Sequence, residues 1–302
     1  MKNSAKAKTR PPASPWLKIV LRPQYRGLLL SLLLLIGATL AATLAWQRFA
    51  PIANASHDHL LTPDKIIVTP QPEWIHSDVK AEVVLRGALT QLDLRDPQLV
   101  ERIAGAFALH PWIRKIVRVE KSYPARASVE VTYRQPVAAV EWADSRDRGL
   151  LFVDDEGVLL PSADFASNQA KHFLRIGGAD KTPSGVGLPW TSELVTGAAR
   201  LAACWGDRWQ PLKLYRIVGS ISASGQLIYE LHTANEVRVI WGAAPGQEEK
   251  SEPSPAQKIA ALAQLVQDKG PLDRPGAPSL VDLRQPSSAG AKAAAAHSPQ
   301  HR

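Results

Sequence analysis

An uncharged run of 20 residues, from Gly27 to Trp46, constrains this chain more than any other feature of its sequence. As an α-helix that rises about 1.5 Å per residue, it spans the roughly 30 Å hydrocarbon core of a bilayer. Tyr25 before the run, and Trp46 with Phe49 at its far end, are amphipathic aromatic residues of the kind found at the lipid–water boundary. The run therefore predicts one transmembrane helix over residues 27–46.

Positive charge is concentrated ahead of this helix. Residues 1–26 carry seven Lys and Arg and no acidic residue, whereas residues 27–302 carry 29 cationic and 28 acidic side chains. By the positive-inside rule, the N-terminus stays in the cytoplasm and the rest of the chain is exported. The near-neutral remainder argues against nucleic acid as a partner, because phosphate neutralisation needs Lys and Arg clustered on a folded face.

We expect the anchor to remain uncleaved. The apolar run is longer than the roughly 7–15 residues of a cleavable signal peptide, and the small-residue pattern Ala53-Asn54-Ala55 lies beyond it. The one cysteine, Cys204, excludes an intramolecular disulfide and a multi-cysteine zinc site. Its position beside Trp205 on a predicted helix favours a buried thiol over a reactive thiolate.

A Pro- and Ala-rich linker at 47–64 leads to a predicted small α+β domain at 65–136. Alternation and capping patterns favour the order strand, helix, helix, strand, strand. The elements are expected at 65–69, at 78–88 with Ser77 as N-cap, from Asp96-Pro97 to His110-Pro111, at 113–121 and at 127–134. One face of each of the last two strands is expected to be buried, through Ile113, Val117 and Val119 and through Val129, Val131 and Tyr133.

Residues 137–285 predict a mostly antiparallel β domain with two helices. An amphipathic segment favours a helix at 192–205, and a capping box at Ser254–Gln257 begins the second helix. The strands are expected at 137–142, 150–153, 158–160, 172–176, 212–221, 226–233, 236–241 and 279–284. Residues 286–302 hold too few large apolar side chains to fold and are predicted to be a disordered tail.

Five short motifs accompany this order of elements: Pro111-Trp112-Ile113, Tyr123-Pro124, Arg134-Gln135-Pro136-Val137-Ala138, Phe152-Val153-Asp154-x-x-Gly157 and Val281-Asp282-Leu283-Arg284. Together, the order and the motifs resemble those of the bacterial cell division protein family FtsQ, also called DivIB. The resemblance covers roughly residues 15–285. It implies a basic cytoplasmic tail at 1–26, a transmembrane helix, a POTRA-type domain, and a β domain closed by a helix and a terminal strand.

The resemblance implies a non-enzymatic, single-pass scaffold in the inner membrane at the division septum, with its C-terminal domains in the periplasm. The implied partners are bitopic division proteins similar to FtsB and FtsL, together with septal wall synthases. It implies no cofactor and no small-molecule substrate. The alternative is a membrane-anchored POTRA component of an export or secretion assembly, and neighbouring genes would distinguish the two.

Partner capture is expected at an open sheet edge, because an edge strand binds an extended segment through main-chain hydrogen bonds. We place this edge at the last strand and the strands beside it. The candidate partner-binding residues are Leu280, Val281, Asp282, Leu283, Arg284, Tyr229, Val239 and Trp241. Replacing Leu280 and Leu283 by Asp is expected to abolish capture while the exported part stays folded.

A second set of residues is expected to be structural. Trp112 is expected to lock the second helix onto the following strand, and Tyr123-Pro124 to fix a turn. Gly157 is expected at a position of positive φ. Arg134 and Pro136 lie at the domain boundary and are expected to orient the two domains, with simple solvation of Arg134 as the alternative.

Three polar patterns could be mistaken for chemical sites. His57-Asp58-His59 has no third metal ligand nearby in the sequence, and Asp154-Asp155-Glu156 precedes Gly157 as turn-forming residues do. His110 has no Ser or Cys nucleophile beside a recognisable partner. Solvated, turn-forming and structural roles are therefore favoured, and the sequence indicates no catalytic, cofactor-binding or metal site.

Overall fold

The structure, a computed structural model, describes residues 26–54, 59–143, 148–166, 168–179 and 185–285. It divides into two compact units at the boundary between His59 and Leu60. The two predicted tails lie outside the described residues, except for Arg26. His57 and Asp58 of the histidine pattern also lie outside them.

One long helix, α1 (Arg26–Asn54), dominates the first unit. Its segment Leu30–Arg48 has a mean hydropathy of 1.7 and is long and apolar enough to cross a membrane. Large apolar side chains are exposed along it, as they are on a helix that is hydrophobic on all sides. The helix continues beyond the predicted end at Trp46, so residues 47–54 are helical and not part of a linker.

The second unit begins with a region, residues 60–136, in which two helices share a core with a three-stranded sheet. Its elements are β1 (Leu60–Leu61), β2 (Ile66–Val68), α2 (Val79–Arg86), β3 (Leu92–Asp93), α3 (Leu99–Ala108), β4 (Ile113–Ser122) and β5 (Arg126–Tyr133). In the sheet order β2-β5-β4, the central β5 runs parallel to β2 and antiparallel to β4. The predicted order of elements is confirmed. The additional pair β1–β3 is only two residues long, too short to produce a period in the sequence.

The two helices of this first region are both present, with a correction at the N-terminus of each. Helix α3 begins at Leu99 and not at the predicted Asp96-Pro97, and the Asp96 carboxylate accepts the Gln98 backbone N–H at 2.8 Å ahead of the helix. The apolar stripe of α3 is fully buried, at Leu99, Ile103 and Phe107. The N-cap of α2 is Asp78 and not the predicted Ser77, because the Asp78 carboxylate accepts the Ala81 backbone N–H at 2.9 Å. Ser77 is instead used in a contact with residues much later in the chain.

Strand β4 departs from the predicted alternation. Its register against β5 shifts after Ile113 and again after Ile116. These β-bulges turn Val117 outward, so that this side chain, predicted to be buried, is 51 % exposed, and Val119 is only partly buried. Bulges and exposed charges such as Lys115 are devices that keep an edge strand from unintended pairing.

The second region, residues 137–285, contains one seven-stranded sheet and two helices. The elements are β6 (Ala138–Ala143), β7 (Arg148–Val153), β8 (Leu174–Gly177), α4 (Glu193–Trp205), β9 (Leu214–Ile221), β10 (Leu227–Thr233), β11 (Arg238–Gly242), α5 (Pro255–Lys269) and β12 (Leu280–Asp282). The predicted strand at 158–160 makes only isolated bridges, from Val158 to Pro189 and from Leu159 to Val153. The capping box that begins α5 at Ser254 is confirmed.

The large sheet is mixed and not mostly antiparallel as predicted. Its order is β12-β11-β10-β9-β8-β6-β7, and the neighbouring pairs β12–β11, β9–β8 and β8–β6 are parallel. Two of these parallel pairs are joined through a helix, since α4 separates β8 from β9 and α5 separates β11 from β12. A strand–helix–strand crossover returns the chain in the same direction, which makes the pair parallel.

One face of this sheet forms the main core with α4 and α5. The indoles of Trp205 on α4 and Trp241 on β11 are fully buried, with ring centroids 5.8 Å apart. Ile259, Leu262 and Leu265 of α5 belong to the same cluster, which also contains Val281 and Leu283. The closing strand is therefore held to the sheet by side-chain burial as well as by backbone pairing.

The two regions of the second unit share apolar packing. The core of the first region also includes Phe152 and Leu160 of the second region. Phe152 stacks on Phe165 with ring centroids 3.8 Å apart, and Phe165 lies 5.9 Å from the ring of Trp112. We call this contact between the regions, centred on Trp112 and Phe165, the joint.

Asp164, in a short 3-10 helix at Ser162–Asp164, is the polar centre of the joint and is only 4 % exposed. Its Oδ1 accepts the backbone N–H groups of His76 at 3.2 Å and Ser77 at 2.6 Å. Its Oδ2 accepts the Ser77 hydroxyl at 3.0 Å and Trp112 Nε1–H at 2.6 Å. Four donors thus satisfy one buried carboxylate, as a buried charge requires.

Asp164→Ala is expected to destabilise the second unit by about 3 kcal/mol, because each buried donor left without an acceptor costs about 1–3 kcal/mol. Urea denaturation of residues 60–285, followed by circular dichroism, measures the change. Asp207→Ala is the matched control, since Asp207 is an exposed carboxylate in another 3-10 helix, and it is expected to change stability by less than about 0.5 kcal/mol. Equal stability of the two variants would contradict this role of Asp164.

Candidate partner-binding edge of the large sheet

Strand β12 lies at one end of the seven-stranded sheet. It pairs in parallel with β11, and the pairing extends one residue beyond it on each side. The Arg238 N–H donates to the Ser279 carbonyl at 3.0 Å, and the Leu283 N–H donates to the Ile240 carbonyl at 2.9 Å. Within the part of the chain that the structure describes, no strand pairs with the other side of β12.

The register determines which backbone groups of β12 are available. Alternate residues of a strand direct their N–H and C=O groups to the same side. Since Ser279 and Leu283 bond to β11, Val281 between them does so as well, whereas Leu280 and Asp282 direct their backbone groups away from β11. The open side therefore presents two donors and two acceptors to an incoming strand.

The side chains of the closing segment divide between core and solvent. Val281 and Leu283 are buried in the main core, Leu280 is half-buried, and Asp282 and Arg284 are exposed. An Asp at position 283 would place a carboxylate in that core, which is costly without a partner. The expectation that Leu283 can be replaced by Asp without loss of folding is therefore wrong, and Leu280 is the position suited to a test.

Asp282 and Arg284 form an ion pair on the exposed side of the segment. Arg284 Nε lies 3.0 Å from Oδ1 and Nη2 lies 2.7 Å from Oδ2, while the Arg284 backbone N–H donates to Oδ1 at 3.0 Å. Burial acts to raise the pKa of the Asp282 carboxyl, but the hydrogen bonds and positive charge of Arg284 outweigh it and lower that pKa. The pair occupies the Asp282 side chain and leaves the Asp282 backbone free to bind.

Three further candidates, Tyr229, Val239 and Trp241, are buried in the main core. The Tyr229 hydroxyl donates to the Glu193 carbonyl of α4 at 3.0 Å, and burial raises the pKa of this phenol. The side chains of these residues are not accessible to a partner. Tyr229 lies on β10, and Val239 and Trp241 lie on β11, so their burial stabilises the strands next to β12.

A buried ion pair lies beside the edge and was not anticipated from the sequence. Lys258 of α5 is fully buried, with Nζ 2.5 Å from Glu252 Oε1 and 4.7 Å from the centroid of the Trp241 ring. Glu252 Oε1 also accepts the Ala243 backbone N–H at 3.1 Å. The polar segment between β11 and α5 is thereby fastened to both elements.

A cavity of about 630 Å³ adjoins the end of the closing segment. Its lining includes Arg284 and Gln285, Arg200 of α4, Gln226 before β10, and Glu249 of the fastened segment. These side chains are polar and carry both signs of charge. An extended segment that pairs with β12 and continues past Arg284 would meet this polar cavity.

The predicted boundary residue Arg134 forms a partly buried ion-pair network. Its Nη1 lies 2.5 Å from Asp154 Oδ2 and 2.9 Å from Glu156 Oε2, and Asp154 is fully buried. Arg114 of β4 binds Asp155 at 2.8 Å and Glu156 at 3.0 Å. The hydrogen bond from Arg134, opposed by burial, lowers the pKa of Glu156. Two cations of the first region thus hold the acidic turn of the second.

The other residues that we expect to be structural lie in turns or in the core. Gly157 has φ +73°, the positive value predicted for this turn. Trp112 is fully buried, but it contacts the second region through Asp164 as well as the core of its own region. Tyr123 is 65 % exposed in the turn between β4 and β5, where the Tyr123-Pro124 peptide bond is cis, and Pro136 is buried.

Among the described residues, no three His, Cys, Asp or Glu side chains are grouped to hold a metal ion. Cys204 is half-buried, and burial raises the pKa of its thiol, which disfavours the reactive thiolate. His110 is buried beside Glu82 and Trp112.

No family model matches this chain, and no curated protein matches its sequence.

Arg134→Ala is expected to destabilise the second unit by about 3 kcal/mol, because it leaves the buried Asp154 carboxylate without its cation. Chemical denaturation of residues 60–285 measures the loss. Arg118→Ala, which breaks the exposed pair with Glu120, is the control and is expected to cost less than about 1 kcal/mol. A loss as small as that of the control would show that Arg134 is merely solvated.

Proposed function

We propose that this protein is a bitopic scaffold of the bacterial division machinery, a divergent member of the FtsQ/DivIB family, that captures septal partners by strand addition outside the cytoplasmic membrane. The observation that carries the proposal is the open side of β12, which belongs to a unit separate from the apolar helix α1. Strand addition draws its affinity from main-chain hydrogen bonds, and Leu280 and Asp282 offer them.

The charge distribution supports the proposed topology. Seven cations precede the apolar run, and only Arg48 and Lys65 follow it within 20 residues. This asymmetry favours a topology in which α1 spans the inner membrane, the N-terminus lies in the cytoplasm and the second unit lies in the periplasm. A partner that reaches β12 must therefore present its own extended segment on the outer side of that membrane.

The architecture of the first region supports a POTRA-type domain. Two helices share a core with a sheet ordered β2-β5-β4, in which the parallel strand β2 forms an edge. A cavity of about 370 Å³ is lined by Pro63 and Asp64 ahead of β2 and by Lys80, Val84 and Leu85 of α2, and the Leu85 side chain is 79 % exposed. We assign recruitment to this region and stable partner capture to β12.

The proposed occupants of β12 are bitopic proteins similar to FtsB and FtsL, and septal wall synthases are the enzymes that the assembly regulates. The edge suits a short extended segment, because β12 has only two residues with outward backbone groups and one half-buried apolar side chain, Leu280. The scaffold acts by bringing partners together and carries out no reaction of its own.

An anchored component of an export assembly is the second candidate function. The edge strand β2 favours it, since an open sheet edge can also bind an extended segment of another protein through main-chain hydrogen bonds. The two candidates differ in where the protein acts and in which partner it holds.

Leu280→Pro is expected to abolish copurification of the FtsB-like protein encoded by the same genome, because proline removes one outward N–H without touching the core. Leu280→Ala keeps that N–H and is the matched control, which is expected to retain most of the capture. Both variants are compared with the parent by affinity purification from detergent-solubilised membranes. Equal capture by the proline and alanine variants would contradict main-chain recognition at β12.

A fluorescent fusion of the full chain is expected to concentrate at mid-cell during constriction. The measurement is live-cell imaging through the cell cycle, with Leu280→Pro imaged beside the parent. If the first region performs recruitment, the variant still reaches mid-cell although it no longer holds its partner. Uniform envelope fluorescence of the parent throughout the cycle would instead favour the export assembly.

A further inference from the structure

His110, between the end of α3 and the start of β4, lies directly behind the joint and is 5 % exposed. Its ring Nδ1 accepts the backbone N–H of Trp112 at 3.3 Å. Its Nε2 lies 3.5 Å from Glu82 Oε2, longer than an ordinary hydrogen bond. An imidazole that accepts at Nδ1 carries its proton on Nε2 and is neutral.

The neutral ring is therefore part of how Trp112 is held. The Trp112 backbone bonds to His110, and the Trp112 indole donates to Asp164 of the second region at 2.6 Å. A proton added at Nδ1 would remove the acceptor and set two N–H groups against each other. The Trp112 N–H would then be buried without a partner, which is costly.

Charged groups from two elements face the ring. Burial of the imidazole is the largest influence and lowers the pKa of His110 below its ordinary value of 6.5, and Arg86 of α2 acts in the same direction. Glu82 of α2 and Asp164 of the 3-10 helix act in the opposite direction without overcoming burial.

The sign of the pH dependence follows from this balance. Because the folded-state pKa is depressed, the unfolded or opened chain binds the proton more readily. The contribution of His110 to stability is therefore complete above about pH 6.5 and is lost as the pH falls from there towards the folded-state pKa.

We infer that His110 makes the joint between the two regions sensitive to acid. When the ring is protonated, the Trp112 backbone loses its acceptor, the Trp112–Asp164 contact weakens, and the first region loosens from the second. Under the proposed topology, this joint lies outside the membrane that maintains the cytoplasmic pH. The orientation of the first region relative to β12 would then change with the pH outside that membrane. The acid sensitivity of the joint does not itself depend on the proposed function.

The test measures the joint in the full chain in detergent micelles by pulsed electron spin resonance. Spin labels are attached at Glu101→Cys on α3 and Gln267→Cys on α5, both exposed, in a Cys204→Ser background. We expect a narrow distance distribution at pH 8.0 that broadens at least about twofold by pH 5.0, with a midpoint below pH 6.5. Circular dichroism at each pH confirms that secondary structure is retained.

His110→Asn is the matched control, because an Asn side-chain oxygen also accepts the N–H two residues on but does not titrate in this range. Its distribution is expected to stay narrow down to pH 5.0. A parent distribution that stays narrow throughout, or equal broadening in parent and His110→Asn, would overturn the inference.

A second variant keeps the inference testable if His110→Asn does not fold. Glu82→Gln removes the negative charge that favours the protonated ring, so the midpoint of broadening is expected to move at least about 0.5 pH units lower. An unchanged midpoint in Glu82→Gln would equally overturn the role of His110.

Discussion

A strand at the end of a sheet has to be held firmly on one side while its other side stays unpaired. In this protein the hold on β12 comes from Val281 and Leu283, which are buried against α4 and α5, and from hydrogen bonds to β11. Among the described residues, no strand pairs with the backbone groups of Leu280 and Asp282, because the alternation of the strand directs them away from β11. The proposed strand addition depends on this separation between a fixed core face and an open backbone.

The sheet borders differ in how they are protected. At the opposite end of the large sheet, β7 is partly covered, since the Leu160 N–H donates to the Phe152 carbonyl and Leu159 bridges to Val153. In the small sheet, β4 is interrupted by two bulges and lined with exposed charges. The border at β12 has neither a cover nor a bulge within the described residues and is kept very short instead. Short length is one of the ways in which an exposed edge strand avoids aggregation.

Most elements were predictable because their signals are local. The apolar run, the stripe of α3 and the capping box of α5 each lie within a few residues of chain, and each is present in the structure. Strand direction is not local, since two of the three parallel pairs of the large sheet follow only once α4 and α5 are recognised as crossovers. The apolar alternation of β4 predicts a buried Val117, because a pattern that repeats every two residues does not reveal a bulge.

The polar contacts were the hardest to foresee, because each joins residues far apart in sequence. Asp164 binds Ser77 and Trp112, and nothing in its own turn distinguishes it from a solvated carboxylate. Lys258 sits on the apolar face of α5, where only Glu252 and the Trp241 ring make its burial possible. At the candidate site, the sequence predicts the strand. Only the register with β11 shows which of its residues direct their backbone groups toward β11.

The crossover through α5 also sets an order in time. Because β12 pairs in parallel with β11, the chain must travel the length of α5 before the last strand can be laid down. During synthesis, which proceeds from the N-terminus, six strands of the large sheet are made before the seventh leaves the ribosome. The border that we propose for strand addition is therefore formed only after the other six strands have been synthesised.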